Sequence, residues 1–271
     1  MTAAPKEEPP PGGQPPSSAF PGGIPRTSGP PREKRWMERL AVLDTCVVSD
    51  ALDHLGISGA VVGVRPIWGR PKVVGRARTV EVVDAAAVGP GGTTPPHPPA
   101  GQPGGGSAHG RHLATSAIVS SGPEDVIVIA NNGRTGVSCW GDILTVAAQQ
   151  RGIRGTVIDG ACRDVDAIAD AGYPVWARAG VPVTARGRIA ERATDVPVSF
   201  GGIWVLPGDF VIADGSGVVF VPAARADEVL AAAGRLAERQ ERMVEAVRAG
   251  RSVVDVMHDT QFTSALKGEK S

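Results

Sequence analysis

The sequence predicts a single mixed α/β domain in which parallel strands are followed by a β-rich antiparallel part. Through the middle of the chain, short apolar runs bounded by Gly, Pro or Asp alternate with segments of helical periodicity. Short strand-like runs then crowd residues 173–221. A long segment of helical spacing follows at about residues 223–248. Together these observations favour the α/β class with segregated β structure near its end.

Eight apolar runs are predicted to be buried strands: Val73–Val83, Val126–Ala130, Gly155–Asp159, Val175–Ala177, Val181–Ala185, Ile203–Leu206, Phe210–Ala213 and Val218–Val221. Five segments have the apolar spacing of shorter helices: Trp36–Leu43, Ser49–Leu55, His112–Ser120, Asp142–Arg151 and Val165–Ala171. The segment Ala223–Arg248 places apolar residues such as Val229 and Leu236 near helical spacing, and it predicts a long C-terminal helix.

Proline and glycine divide the chain into segments. Residues 1–33 contain ten of the 24 prolines and almost no large apolar residue, so we predict a disordered tail. Residues 84–110 contain six more prolines and eight glycines, and they predict a flexible insertion between a strand and a helix. The folded domain is expected at residues 34–257, with a C-terminal extension at 258–271. Without the tail and the insertion this leaves about 210 residues, enough for one domain.

Composition argues against several classes of protein. The 28 Lys and Arg residues balance 28 Asp and Glu residues, whereas nucleic-acid and anionic-membrane binders normally carry a basic excess. No stretch approaches the apolar length of a membrane span, and the N-terminus lacks the pattern of a signal peptide. The three cysteines form no Cys-x-x-Cys pair, so neither a disulfide framework nor a zinc knuckle is expected. We expect a cytoplasmic protein without direct contact to nucleic acid or membrane.

The densest polar sequence follows two predicted strands. Residues 131–142 connect one strand to a helix, and residues 159–164 do the same after the next strand. In open α/β sheets, ligands bind at the carboxyl ends of adjacent strands, and helix N-termini favour anions. The two loops are therefore expected to form one pocket.

Three side chains of these loops are candidates for chemistry. Asp142 and Asp164 are candidate oxygen ligands for a hard divalent cation, since Mg²⁺ commonly takes one or two protein carboxylates and keeps several waters. Arg163 suits a substrate carboxylate or a developing oxyanion. Two ordinary explanations remain open at this point. Asp142 can simply complement the helix dipole, and Arg163 and Asp164 can form a surface ion pair.

The motif resembles a known family. Residues 139–142 read Cys-Trp-Gly-Asp, residues 155–164 read Gly-Thr-Val-Ile-Asp-Gly-Ala-Cys-Arg-Asp, and twenty residues separate Asp142 from Arg163. This pattern resembles the RraA-like family, which includes the regulator of ribonuclease activity and the aldolases for 4-hydroxy-4-methyl-2-oxoglutarate and 4-carboxy-4-hydroxy-2-oxoadipate. Similar stretches elsewhere, such as Pro207–Asp209, extend the resemblance over about residues 36–250.

The resemblance implies a fold, an assembly and a site. The fold is an α/β domain of the swivelling β/β/α type, assembled into a homotrimer or homohexamer. Asp164 would hold Mg²⁺ or another divalent cation such as Mn²⁺, Arg163 would bind the substrate and stabilise its enolate, and Asp142 would orient a metal-bound water. Backbone N–H groups of one loop would bind the substrate carboxylate: Gly141, Asp142, Ile143 and Leu144.

The function implied is a metal-dependent, class II type lyase that releases pyruvate. It would cleave 4-hydroxy-4-methyl-2-oxoglutarate-like 2-oxo acids, decarboxylate oxaloacetate, or both. Each reaction leaves electrons on an enolate oxygen, which a divalent cation and Arg163 would stabilise. No Schiff-base lysine is required, and Lys72 is the only lysine between residues 34 and 267. The alternative is a non-catalytic regulator that binds and inhibits a ribonuclease, as the family's namesake does.

Other polar residues near the motif have simpler interpretations. His97, His109 and His112 lie in or beside the predicted insertion, whose Gly- and Pro-rich sequence does not fix a metal geometry, so a solvated loop is favoured. Cys139 and Cys162 flank the motif, but no His lies nearby in sequence to activate a thiol. They are expected to be small residues of the pocket wall.

Overall fold

The computed structural model describes residues 32–88 and 112–257. The predictions for the tail up to residue 31, for residues 89–110 of the insertion and for the extension 258–271 lie outside these residues. The first helix begins at Arg32, two residues before the predicted domain boundary. The first residues assigned to the insertion belong to regular elements, since Asp84 ends a strand and Ala85–Val88 form a 3₁₀ turn.

Seven α-helices and twelve strands are present in the described ranges. The helices are α1 (Arg32–Ala41), α2 (Thr45–His54), α3 (Thr115–Ser120), α4 (Asp142–Gln150), α5 (Val165–Asp170), α6 (Ala226–Arg248) and α7 (Val253–Val256). The strands are β1 (Ala60–Val61), β2 (Arg65–Pro66), β3 (Val73–Asp84), β4 (Asp125–Ser138), β5 (Gly155–Cys162), β6 (Val175–Ala177), β7 (Ala179–Gly180), β8 (Ile189–Thr194), β9 (Val198–Phe200), β10 (Ile203–Val205), β11 (Phe210–Ala213) and β12 (Val218–Val221). Among the helices of these ranges, none is long and apolar enough to cross a membrane.

Ten of these strands form one sheet. Its order is β1-β12-β11-β3-β4-β5-β6-β2, with β7 beside β5 and β8 beside β3. Strands β3 to β6 pair in parallel, whereas β8, β11 and β12 pair antiparallel with their neighbours. Strands β9 and β10 form a separate hairpin. The predicted α/β fold of the swivelling β/β/α type is confirmed, as is the long C-terminal helix, α6, of 23 residues.

The two faces of the sheet bury different partners. In β4, Ile127 and Ile129 pack with side chains of α3, α4 and α5, whereas Val126 and Val128 pack on the side of the hairpin β9–β10. This alternation is the period of two expected of a strand. Because both faces are covered, β4 begins as a nearly continuous apolar run, which is why it was predictable. Helices α1, α2 and α6 form a further core against β11 and β12.

One predicted strand is wrong, and five strands were missed, three of which (β1, β2 and β7) are only two residues long. Residues Val181–Ala185 are not a strand, because Pro182 has no N–H to donate and the segment makes only isolated bonds. The Val181 N–H donates to the Cys162 carbonyl at 2.8 Å, and the Ser138 N–H donates to the Val183 carbonyl at 3.0 Å. The segment therefore passes the ends of β4 and β5. Strands β8 and β9 were missed because the first is largely polar and the second is only three residues long.

A buried ion pair joins β5 to two distant loops. The Asp159 carboxylate accepts from Arg178 Nε at 2.5 Å and from the Gly201 N–H at 3.0 Å, and its side chain is only 3% exposed. Arg178 also donates from Nη1 to the Val62 carbonyl at 3.2 Å. Gly63 and Gly201 have φ of +83° and +58°, and a Cβ at either would lie 2.9 or 3.2 Å from the guanidinium nitrogens. Glycine is therefore required where these loops meet Arg178.

Candidate functional site

The carboxyl ends of β4 and β5 border a cleft of about 200 Å³. Its lining includes every residue that the sequence predicted for the site: Gly141, Asp142, Ile143, Leu144, Arg163 and Asp164. The remaining lining residues are His112, Ser138, Cys139, Trp140, Thr184, Ala185 and Arg186. The two polar loops thus meet in one cleft, as expected for adjacent parallel strands.

Backbone hydrogen bonds hold the two loops side by side. The Cys139 N–H donates to the Ala161 carbonyl at 2.8 Å, and the Arg163 N–H donates to the Trp140 carbonyl at 2.9 Å. The strand pairing therefore continues past the last apolar residues and aligns residues 139–142 with 161–164. Asp164 then adopts a left-handed conformation, with φ of 55° and ψ of 40°, directly before α5. Asp is one of the few residues other than glycine that adopt this left-handed backbone conformation readily.

The Asp164 carboxylate lies against the start of α4. Its Oδ2 accepts from the Asp142 N–H at 3.3 Å, and Arg163 Nε lies 3.2 and 3.1 Å from its Oδ1 and Oδ2. A Cβ on Gly141 would lie only 2.7 Å from the same Oδ2. Only glycine at position 141 leaves room for this approach. The ion pair between Arg163 and Asp164, which the sequence left open as a surface contact, does form. It lies inside the cleft beside Asp142.

The first turn of α4 binds carboxylate oxygens through its backbone. The Ile143 N–H donates to Asp142 Oδ1 at 2.7 Å, and the Asp142 N–H is the donor to Asp164. The Asp142 carboxylate therefore does complement the start of its own helix, which is the first of the two ordinary explanations that the sequence left open. The Ile143 side chain is 79% exposed, whereas the Leu144 side chain is buried in the core, so Leu144 can serve a ligand mainly through its backbone.

A buried tryptophan, Trp140, holds the loop at the border of the cleft. Trp140 is buried, and its Nε1 donates to Thr145 Oγ1 at 2.9 Å. Thr145 Oγ1 in turn donates to the Gly141 carbonyl at 3.0 Å, so the indole is tied to the loop that carries Asp142. The Trp140 ring also stacks on Tyr173, with 6.2 Å between ring centroids. These contacts limit movement of the loop relative to the core.

Sequence reasoning missed part of the cleft wall. Thr184, Ala185 and Arg186 line it, although residues 181–185 were predicted to be a strand. His112 also lines the cleft, whereas the sequence favoured a solvated loop at this position. A local pattern contains no signal for this wall, because the wall depends on where residues 181–186 cross the ends of β4 and β5.

The carboxylates of the cleft fit a sparsely coordinated cation. In the part of the chain that is described, no group of three or more His, Cys, Asp or Glu side chains could hold a metal ion. Asp142 and Asp164 nevertheless both line the cleft, and the Asp164 side chain is 27% exposed. A carboxylate has about four acceptor positions, so the bonds from Arg163 and Asp142 leave capacity on Asp164. Mg²⁺ accepts such a set because it keeps most of its waters.

The two cysteines of the cleft region are expected to be unreactive. Burial raises the pKa of the Cys139 and Cys162 thiols to about 12 each, whereas Cys46 is exposed. At about pH 8 the two buried groups are therefore protonated and are poor nucleophiles. We expect iodoacetamide to alkylate Cys46 alone in the native protein, as measured by peptide mass spectrometry. Denatured protein, alkylated at all three cysteines, is the control, and alkylation of native Cys139 would contradict the prediction.

Comparisons with known proteins agree with the motif. The family model described as "RraA-like: Aldolase/RraA" matches residues 45–220. A protein of Halalkalibacterium halodurans named putative 4-hydroxy-4-methyl-2-oxoglutarate aldolase is 30% identical over 72% of this chain and 80% of its own length. Protein DlpA of Legionella pneumophila is 29% identical over 82% of this chain, which spans only 33% of that protein.

A solved structure extends the comparison. Streptomyces coelicolor RraAS2 is described as an unusual member of the RNase ES inhibitor RraA protein family. It is 26% identical, with a TM-score of 0.63 over 81% of this chain and 97% of its own. Aldolase-named relatives and regulator-type neighbours therefore share this fold. From the extent of the family match and the motif in its cleft, the chain belongs to the RraA-like family.

Proposed function

We propose that this chain is a divalent-metal-dependent lyase that releases pyruvate from 2-oxo acids. Its substrates would be 4-hydroxy-4-methyl-2-oxoglutarate-like acids, cleaved by a retro-aldol reaction, oxaloacetate, which would be decarboxylated, or both. The observation that carries the proposal is that two carboxylates and a guanidinium, those of Asp142, Asp164 and Arg163, line one small cleft. Relatives named putative 4-hydroxy-4-methyl-2-oxoglutarate aldolase, at 30% and 34% identity, support a lyase.

The charged side chains would divide binding between them. Asp164 would hold Mg²⁺ or Mn²⁺, with Asp142 nearby as the second carboxylate. When bound, the cation supplies Lewis acidity that stabilises negative charge on the 2-oxo oxygen of the substrate. Arg163 is 42% exposed, and within the described ranges its side chain is bonded only through Nε. Its terminal nitrogens are therefore available to a substrate carboxylate or an enolate oxygen.

The start of α4 would orient the substrate and move the proton. Its amides already bind carboxylate oxygens within the chain, which supports a role in binding a substrate carboxylate. In the retro-aldol reaction the 4-hydroxyl loses its proton, the C3–C4 bond breaks, and its electron pair forms the enolate of pyruvate. Within the described ranges, Asp142 is bonded through Oδ1 and not through Oδ2. Its Oδ2 would hold a water that accepts this proton and returns one to C3.

An imine mechanism has no lysine to support it in the described core. Lys72 is the one lysine of the folded region between residues 34 and 267, and its Nζ donates to the Ala41 carbonyl at 2.6 Å. It does not line the cleft. The carbonyl of the substrate would therefore be activated by charge rather than by covalent attachment.

Pyruvate release tests the proposal. The purified protein is given 4-hydroxy-4-methyl-2-oxoglutarate or oxaloacetate with Mg²⁺ or Mn²⁺, and pyruvate is measured with lactate dehydrogenase and NADH. We expect turnover that falls by at least about 100-fold with excess EDTA and returns with added Mg²⁺. Turnover that EDTA leaves unchanged would contradict the metal, and no pyruvate from either substrate would contradict the lyase.

A second candidate is a regulator that binds a ribonuclease. It is supported by the likeness to RraAS2, whose description names an RNase ES inhibitor family. The test is inhibition of a purified ribonuclease of that class by the full chain, beside the pyruvate assay on the same preparation. Inhibition by a preparation that releases no pyruvate would favour the regulator.

We also propose that the chain assembles as a homotrimer or homohexamer. Large apolar side chains are exposed on the described surface, among them Val62 (86%), Ile143 (79%) and Trp204 (72%). Exposed apolar groups of this kind are typical of interaction surfaces. Light scattering on the purified protein measures the assembly, and a monomer at micromolar concentration would contradict it.

A further inference from the structure

The cleft contains a second guanidinium that the proposed reaction does not use. Arg186 lines the cleft together with Arg163 and Asp164. Within the described ranges, the Arg186 side chain forms neither an ion pair nor a hydrogen bond, and only its backbone N–H is bonded, to Thr184 Oγ1 at 3.4 Å. Arg188, two residues away, instead donates from Nη1 to the Thr184 carbonyl at 3.2 Å and does not line the cleft.

The backbone around Arg186 is held in place. The Ser138 N–H and Oγ both donate to the Val183 carbonyl, at 3.0 and 2.7 Å, before the residue. After it, the Arg188 and Ile189 N–H groups donate to the Ala185 carbonyl at 2.9 and 3.1 Å. Arg186 therefore occupies a turn that is fixed at both ends. The fold, rather than free movement of a loop, places its charge at the border of the cleft.

With a divalent cation bound, the charges of the cleft would match a ligand with two negative charges. The guanidiniums of Arg163 and Arg186 balance the carboxylates of Asp142 and Asp164. A divalent cation on Asp164 would then leave two positive charges, and a 2-oxo acid with one carboxylate neutralises only one.

We propose that Arg186 binds the second carboxylate of the substrate, and that it makes the cleft selective for 2-oxo dicarboxylates over 2-oxo monocarboxylates. The inference rests on the proposed function, because it takes the first carboxylate and the 2-oxo group to lie at Arg163 and Asp164. A guanidinium without another partner binds a carboxylate in a charge-assisted contact. Arg186 is exposed, so solvent weakens the contact, and about a tenfold contribution to affinity is expected.

The test compares two five-carbon ligands by titration calorimetry in the presence of Mg²⁺. 2-Oxoglutarate and 2-oxopentanoate share the 2-oxo acid end and differ in the distal carboxylate, and neither has the 4-hydroxyl needed for cleavage. We expect the wild-type protein to bind 2-oxoglutarate about tenfold more tightly. Arg186→Gln should remove this preference and leave the affinity for 2-oxopentanoate unchanged. Arg186→Lys should keep most of it, since the charge remains.

Arg188→Gln is the matched control, because it removes the same charge two residues away, outside the cleft lining. It should keep the preference for 2-oxoglutarate. Wild-type protein that binds both ligands equally, or Arg186→Gln that keeps the preference, overturns the role of Arg186 and leaves the proposed lyase standing. If Arg188→Gln also loses the preference, the preference reflects the overall charge of the protein, and the role of Arg186 is overturned. Wild-type protein that binds neither 2-oxo acid overturns the proposed function itself.

Discussion

Asp164→Asn is expected to lower kcat/KM for pyruvate release by about a thousandfold, equivalent to about 4 kcal/mol of transition-state stabilisation. The substitution keeps the shape of the side chain but removes the negative charge that would hold the cation. It also places an amide where Oδ2 now accepts from the Asp142 N–H and where Arg163 Nε lies within 3.2 Å. A steady-state assay with 4-hydroxy-4-methyl-2-oxoglutarate and varied Mg²⁺ measures the loss.

Asp166→Asn is the matched control for Asp164→Asn. Asp166 lies in the first turn of α5, is exposed and does not line the cleft, so its loss should leave kcat/KM within about twofold. Thermal unfolding of both variants checks that the fold is intact. If Asp164→Asn retains wild-type turnover and the same dependence on Mg²⁺, Asp164 is not the metal ligand.

Arg178→Met is expected to destabilise the fold by about 3–5 kcal/mol, because it leaves the buried Asp159 carboxylate without its counter-charge. Among the described residues, the remaining donor to that carboxylate would be the Gly201 N–H. The loops at Val62 and Gly201 would also lose the guanidinium that joins them to β5. Urea unfolding at one protein concentration measures the effect as a lower midpoint with an unchanged m-value.

Two further variants test the cause of this loss. Arg225→Met breaks the exposed ion pair with Glu228 on the protein surface, and its midpoint should hardly change. Adding Asp159→Asn to Arg178→Met removes the buried charge, so the double variant should be more stable than Arg178→Met alone. The double variant could instead be less stable than Arg178→Met alone, or Arg178→Met could have only a small effect. Either result would mean that the stability of the fold does not depend on pairing the Asp159 charge.

Much of the fold was predictable because its central strands are buried on both faces. The apolar runs that begin β4 and β5 have no other stable environment, and the Gly, Pro and Asp residues around them mark the turns. Strand β8 was not predictable in this way. Its Glu191 and Arg192 resemble loop residues in the sequence. They lie in a strand because β8 pairs antiparallel with the end of β3, where the Arg192 side chain also forms an ion pair with Glu81. Such pairing depends on neighbours far away in the sequence.

The candidate site was also only partly predictable from the sequence. Asp142, Arg163 and Asp164 were identifiable because they directly follow two adjacent parallel strands, and the ends of such strands meet at one edge of the sheet. The wall formed by Arg186 and His112 was not identifiable, because its residues are brought to the cleft by crossing segments.

The sequence by itself determined the α/β class, the long C-terminal helix and the two loops that border the cleft. These follow from local patterns of apolar residues, glycines and charges, since each pattern restricts the few residues around it. Only the tertiary structure decided the close approach of Asp164 to Gly141, the burial of Asp159 against Arg178 and the position of Arg186 in the cleft wall. Each of these features depends on the distance between residues that are far apart in the chain, or on the space left between packed helices and strands. These distances and spaces are set only when all the elements pack together.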